Sequence, residues 1–410
     1  MASFDPNFGL GTLATHACEG NNSQDAHATP IFETSTFDFP DVASGAARFH
    51  GDIPGYIYTR LNNPNLKQLG DKIAILEGID LLRQQPGCSP DEVVAGQVFA
   101  SGMAAVTSAI LAQVRPGQAI LAQESLYSAT RNFLEACAPP MGIEVGWVHS
   151  PSPEHWSEAF QQHPNAVLAY AETPSNPTMA LVDLAAVAEI AHQHGAWLMV
   201  DNTFASPYCQ RPLSLGADVV LHSTTKYLSG HWLVIGGAVV SRHLEYVHQQ
   251  LHTHLKIYGG SSSPFDAWLT NNGLKTFEVR MQRHCENALQ LARFLEGHPA
   301  VAQVSYPGLE SHPDHALARR QMLHYGGMIS FELKGGYAAG VSLLEKVKVC
   351  TLTVSLGTVD SLICHPASMT HSNVSPETRQ QMGISDGLVR FSVGIENLED
   401  LQADLDQALR

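Results

Sequence analysis

The chain has 410 residues, with 23 Lys and Arg against 39 Asp and Glu, a formal net charge of −16. A chain of this length encloses its own core without disulfide or metal staples, and 44% hydrophobic against 15% charged residues excludes a disordered polymer. The acidic balance argues against nucleic acid as a partner, whose phosphates demand a basic face, and against an anionic membrane surface.

Residues 1–62 are rich in Thr, Asn, Asp, Gly and Pro and show no clear amphipathic period. They read as an extended arm, stable only when laid on its own domain or on a neighbouring subunit. From Asn63 the pattern changes: Leu66, Leu69, Ile73 and Leu76 recur at helical spacing after Pro64. Short apolar runs at 97–100, 119–122, 143–148, 166–171, 197–200, 219–221 and 238–240 follow, separated by helical stretches such as 102–113 and 184–194. Continuous apolar strands alternating with helices predict a buried, mostly parallel sheet of seven strands, which binds ligands at the carboxyl ends of its strands. A long helical pattern spans about 264–295. Strands at 327–333 and 388–393, a helix at 338–346 and a closing helix at 398–409 then predict a smaller α+β domain. The organisation expected is an arm over 1–62, a large α/β domain over 63–277 and an α+β domain over 278–410.

Seven scattered cysteines without a C-x-x-C pair predict reduced thiols and a cytoplasmic setting. The sequence opens without a basic and apolar leader, and no apolar run reaches the ~18 residues of a membrane span, so neither export nor membrane insertion is expected. G-x-G-x-x-G and the P-loop pattern are missing, and Gly383–Gly387 matches G-x-S-x-G ahead of a strand, the wrong side for a nucleophile elbow. Twenty-one histidines include no H-E-x-x-H, so no metal is expected.

Lys226 stands out because it follows an apolar strand and is flanked by the hydroxyls of Ser223 and Thr225, good phosphate donors. An earlier strand, Trp197 to Val200, ends in Asp201. A lysine amine and a carboxylate at successive strand ends suit pyridoxal 5'-phosphate: the amine attaches the cofactor aldehyde, and the carboxylate keeps the pyridine nitrogen protonated. Ser101-Gly102-Met103 turns from a strand into a helix, whose N-terminal amides attract a phosphate. Tyr127 follows the next strand, where an aromatic ring can stack on a planar cofactor.

Six segments together resemble the Cys/Met-metabolism (trans-sulfuration) family of pyridoxal-phosphate enzymes. They are Gly55 to Pro64, Ser101 to Ala105, Glu172 to Thr178, Val200 to Phe204, Ser223 to His231 and His365 to His371, and the resemblance runs from about Gly9 to the C-terminus. It implies a type I PLP-dependent transferase fold and a homotetramer built from two catalytic dimers. It implies that Lys226 holds the cofactor, Asp201 pairs with its ring nitrogen, and Gly102, Met103, Ser223 and Thr225 hold its phosphate. Tyr58 and Arg60 would reach the phosphate of the neighbouring subunit, and Tyr127 would stack on the ring and assist proton transfer. Asn176 and Ser355 would support cofactor and substrate, and Arg390 would clamp the substrate carboxylate, a task suited to guanidinium.

Within the family, residues 273–285 and 354–357 look most like methionine γ-lyases, which implies α,γ-elimination on a small sulfur amino acid. Val354 is aliphatic where cystathionine-cleaving members tend to carry a glutamate. Three positions depart from the methionine γ-lyase pattern: Ala129 replaces a cysteine, Leu255-Lys256 a Lys-Asp pair, and Trp232-Leu233 a small residue and Asp. The alternatives are γ-replacement on an O-acylhomoserine and, more distantly, a non-catalytic binding protein of the same fold.

Overall fold

The computed structural model describes residues 5–20, 22–369, 372, 379 and 383–410. Thr370 and His371, which close the last family-like segment, lie outside the described residues. The strands are β1 Ala95–Phe99, β2 Ala119–Gln123, β3 Glu144–Val148, β4 Ala166–Glu172, β5 Trp197–Asp201, β6 Val219–His222, β7 Gly237–Ser241, β8 Val301–Ser305, β9 Met328–Leu333, β10 Thr351–Leu352, β11 Leu362–Cys364 and β12 Leu388–Ser392. The chain groups into two compact units, one of Met1–Gln113 with Asp218–Thr276, the other of Val114–Ala217 with Phe277–Arg410.

In the first unit the strand order is β1-β7-β6, with β7 antiparallel to both neighbours. The Pro64–Gln84 helix covers β1. It begins where the Asn63 side chain accepts the Asn65 N–H and Pro64 supplies the first helical φ. Leu66, Leu69, Ile73 and Leu76 are all buried, as their spacing predicts. Two polar side chains of the same helix strap the preceding segment down. Asn65 accepts the Phe32 N–H at 2.8 Å and donates to the Pro30 carbonyl at 2.9 Å, and Gln68 donates to Thr29 Oγ1 at 2.8 Å. Lys72, fully buried, reaches Glu19 Oε1 at 2.6 Å and the Ala14 carbonyl at 3.2 Å.

In the second unit β5-β4-β2-β3 form a wholly parallel block. Every residue of β2 is buried, and only Val167 of β4 is not, so the apolar runs reflect strands covered on both faces. The same unit holds a five-stranded sheet, β10-β11-β12-β9-β8, antiparallel except for β10 beside β11. Its core joins Leu291, Phe331, Leu343, Phe391 and Leu405, from β9, β12 and the Phe277–Glu296, Gly336–Lys346 and Leu398–Leu409 helices.

Two expectations need correction. The helical pattern over 264–295 is two helices, Pro264–Leu274 and Phe277–Glu296. The break comes where the Thr276 N–H and hydroxyl both turn back to the Gly273 carbonyl, at 3.3 and 3.2 Å, and tighten the last turn. The segment 1–62 is not wholly extended, since it contains helices at Leu10–His16 and Val42–His50. The second is capped by Asp41, which accepts the Ser44 N–H at 2.7 Å, and by left-handed Gly51. Its Val42 and Phe49 face outward, so no buried stripe marks it in the sequence.

Candidate active site

In the first unit, β1 runs through Ala100 and Ser101 into the Gly102–Gln113 helix. Ser101 Oγ accepts the Ala104 N–H at 3.0 Å, an N-cap that fixes where the helix starts. A methyl group on Gly102 would stand 2.9 Å from Ser223 Cβ and 3.1 Å from Ser223 Oγ, so only glycine lets the turn after β6 lie against this helix N-terminus. The structure thus brings Gly102 and Ser223 together, with Met103 in the same first turn. Thr225 Oγ1 donates to the Gly236 carbonyl at 3.3 Å and accepts the Gly236 N–H at 3.0 Å, closing the loop that follows Lys226. Lys226 sits on a tight turn, its N–H on the Ser223 carbonyl at 3.2 Å and its carbonyl on the Gly230 N–H at 2.8 Å. Behind the turn His222 Nε2 meets Glu77 Oε1 at 2.5 Å, both side chains buried. This brace, not visible in the sequence, anchors the strand end that presents the lysine.

Trp232, 45% exposed, adopts a left-handed φ of 65° in the loop after Lys226, and Leu233 beside it is exposed too. Tyr58 and Arg60 lie together, the guanidinium carbon 5.7 Å from the ring centroid, and Arg60 donates to the Lys256 carbonyl. They border an open hollow of about 340 Å³ with Phe39, Phe49 and Leu61.

The second unit gathers the remaining candidates. Asp201 ends β5, and its Oδ1 accepts the Thr203 N–H at 3.0 Å. The β4–β5 register places Glu172 beside it. Glu172, 4% exposed, accepts the Tyr127 N–H at 2.9 Å on one oxygen and the Asn176 N–H at 2.8 Å on the other. Burial and then the Asp201 charge push its carboxyl up to about 8, against the pull of those two amides and of Arg390. Tyr127 is 46% exposed. Arg390, on β12 and 6% exposed, donates to Asn176 Oδ1 at 3.2 Å and to the carbonyls of Val354 at 2.7 Å and Ser355 at 3.2 Å. Asn176, Ser355, Val354 and Arg390 are therefore one cluster, from strands and loops far apart in sequence.

Glu172 is the residue the sequence reading passed over. Its signal was present: a carboxylate closing an apolar strand, as Asp201 closes the next. Among the described residues no group of three or more His, Cys, Asp or Glu is placed to hold a metal ion, and no helix is long and apolar enough to cross a membrane.

These residues fit pyridoxal phosphate. The Gly102–Ser223 contact sets a helix N-terminus beside a hydroxyl, groups that would suit a phosphate, while Lys226 would supply an amine and Asp201 a strand-end carboxylate. A parallel block ending in Asp201 and a lysine turn after β6 define a pyridoxal-phosphate-dependent enzyme of the type I fold. The chain belongs to the Cys/Met metabolism PLP-dependent enzyme family, whose profile matches residues 11–410. It is 46% identical to an L-methionine gamma-lyase of Porphyromonas gingivalis, over 98% of this chain and 97% of the relative. It is 45% identical to another of Fusobacterium nucleatum subsp. nucleatum, over 98% of both. A crystal structure of cystathionine gamma synthase from Xanthomonas oryzae pv. oryzae, in complex with aminoacrylate and cysteine, superposes with a TM-score of 0.89 at 40% identity, covering 98% of each chain.

Proposed function

We propose that the chain is a carbon–sulfur lyase catalysing α,γ-elimination of L-methionine or a related sulfur amino acid, to 2-oxobutanoate, ammonia and a thiol. The observation that carries this reading is Val354. Its carbonyl takes the Arg390 guanidinium at 2.7 Å, while its side chain is apolar and 52% exposed. The group that would grip the substrate carboxylate thus has beside it an aliphatic surface, which suits a thioether and offers no counter-ion to a distal ammonium.

Bound pyridoxal phosphate supplies an electron sink for negative charge developing at the substrate α-carbon. Gly102, Met103, Ser223 and Thr225 would hold its phosphate, Asp201 would keep its ring nitrogen protonated, and Asn176 would support it. Lys226 Nζ takes the α-proton, and once it has passed that proton on and is again a neutral amine it would serve as base for the β-proton. Tyr127 Oη gives a proton to the departing sulfur, so that a thiol leaves in place of a thiolate. Arg390, held by three acceptors, orients the substrate through its carboxylate, with Ser355 and Val354 beside it.

The same reading makes the protein a cytoplasmic homotetramer of two catalytic dimers, with a large domain over 63–277 and a smaller one over 278–410. The 1–62 arm would carry Tyr58 and Arg60 to the neighbouring subunit's cofactor phosphate. The outward Val42, Phe49 and Tyr58 support an arm that is covered in an assembly.

The test is product analysis with purified protein. 2-Oxobutanoate, ammonia and methanethiol from L-methionine in equal amounts are expected, with Lys226→Ala inactive and lacking the cofactor's near-visible absorbance. Thioether formation from O-acylhomoserine and cysteine, at the expense of elimination, would overturn the reading in favour of γ-replacement. A colourless protein inactive with added cofactor would overturn enzyme function altogether.

A further inference from the structure

Glu172 is buried, lies beside Asp201 in the sheet, and meets Tyr127 and Asn176 through hydrogen bonds. Four strand-end contacts fix it. Its backbone N–H donates to Gln123 Oε1 at 3.1 Å, and its carbonyl accepts from Gln123 Nε2 at 2.9 Å. Gln123 Nε2 also donates to the Ser125 carbonyl at 2.7 Å, so the ends of β2 and β4 and the loop after β2 are locked together. From this anchored backbone the carboxyl spans two loops, one oxygen on the amide of Tyr127, the other on the amide of Asn176. Beyond the carboxyl, Ser125 Oγ and Thr178 Oγ1 stand 3.1 Å apart and tie the same two loops a second time. Asn176 carries the connection on to Arg390. The charged and titratable groups acting on this carboxyl are Asp201, Arg390 and Tyr170.

We propose that Glu172 is a positioning residue: its two carboxyl oxygens form a single brace that sets the Tyr127 and Asn176 loops against each other, and so aims the Tyr127 ring and, through Asn176, the Arg390 clamp. The proposal rests on the site reading above for what those residues then do. A carboxyl group is needed because two N–H donors approach one side chain. Glutamine offers one acceptor and turns an NH2 on the other amide. Aspartate keeps both acceptors but is a methylene too short to span both loops. Arg390 keeps two further carbonyl partners, so its clamp loosens less than the Tyr127 ring.

The experiment is hydrogen exchange by mass spectrometry on the cofactor-loaded protein, with Glu172→Gln against the parent. Loss of one hydrogen bond is expected to speed exchange about tenfold in both loops, 124–128 and 173–178, with 166–171 in β4 unchanged. Kinetics with L-methionine are expected to split, kcat falling about tenfold and KM rising no more than about threefold, and Glu172→Asp should not restore kcat. Unchanged loops, or faster exchange spread evenly over β4 as well, overturns the brace. Should Glu172→Gln not fold, the parent protein still decides. The Tyr127 and Asn176 amides must then open with the same protection factor, and unequal factors overturn the proposal. Exchange needs no turnover, so a parent enzyme that leaves methionine untouched refutes the proposed reaction and not the brace.

Discussion

Gly102→Ala tests the proposed phosphate cup where Gly102 lies against Ser223. The new methyl would meet Ser223 Cβ at 2.9 Å, its Oγ at 3.1 Å and its Cα at 3.3 Å. Carbon contacts settle at about 3.5–4.0 Å, so the turn and the helix must separate by roughly half an ångström. None of these atoms is the free end of a long side chain, and the Ser223 backbone is held by the Lys226 N–H. Overpacking of this kind costs about 1–3 kcal/mol, while alanine for glycine in a helix returns about 0.5–1 kcal/mol. Apoprotein stability should therefore fall by no more than about 2.5 kcal/mol. The cofactor suffers more, because a charge-assisted bond from the cup to its phosphate is worth about 1.5–3 kcal/mol, or roughly 10–100-fold in affinity. Absorbance titration of apoprotein with pyridoxal phosphate reads the second quantity and a thermal melt the first. A dissociation constant within about twofold of the parent's, in a variant that melts normally, would refute the claim that this contact shapes the phosphate site.

Two further outcomes follow from the assigned residues. If the half-exposed Val354 reads the substrate's distal end as proposed, Val354→Glu places a carboxylate there and the kcat/KM ratio of cystathionine over methionine should rise about tenfold or more; an unmoved ratio would remove Val354 from that role. Arg60→Ala and Lys226→Ala proteins, each inactive alone, should regain activity when dissociated and reassembled together, because a mixed dimer contains one site with both groups intact; no recovery would mean that the arm does not serve a neighbouring subunit.

What the sequence made legible is what local chemistry encodes. The buried strands show as apolar runs because they are covered on both faces, and β2 and β6 were placed to within a residue or two. The lysine turn and the Ser101-Gly102 helix start are read from neighbours in the chain. β8 escaped because only Val301 and Val304 of its five residues are buried, a spacing that serves a helix as well as a strand. The Val42–His50 helix escaped because its apolar side chains point outward. Within the site, Arg390 came from the family resemblance, but its grip on the Val354 and Ser355 carbonyls depends on how loops fold over a sheet. Glu172 was passed over because burial, which makes its carboxyl matter, is a property of register and packing.

The net charge of −16 hides a local problem of the opposite kind. Glu172, buried, and Asp201, half-buried, end adjacent strands side by side, and two carboxylates this close resist being ionised together without a compensating positive charge. Arg390 and the two amides supply part of it, yet Glu172 still titrates near 8, so in the protein without cofactor a proton makes up the rest. A protonated ring nitrogen at Asp201 would provide that charge instead. The sign of the consequence follows from linkage. With a folded pKa of about 8 against an ordinary 4.5, the folded apoprotein holds a proton that the unfolded chain releases. This group's contribution to stability is full at pH below the ordinary value and is lost progressively as pH rises towards 8. The apoprotein's melting temperature should therefore fall from pH 6 to pH 8, more steeply than that of Glu172→Gln, which has no proton to lose at that position. Loading the parent with pyridoxal phosphate should flatten its profile towards that of the variant. Identical slopes for parent and variant apoproteins would show that Glu172 is ionised throughout and that the amides and Arg390 alone suffice to hold the pair.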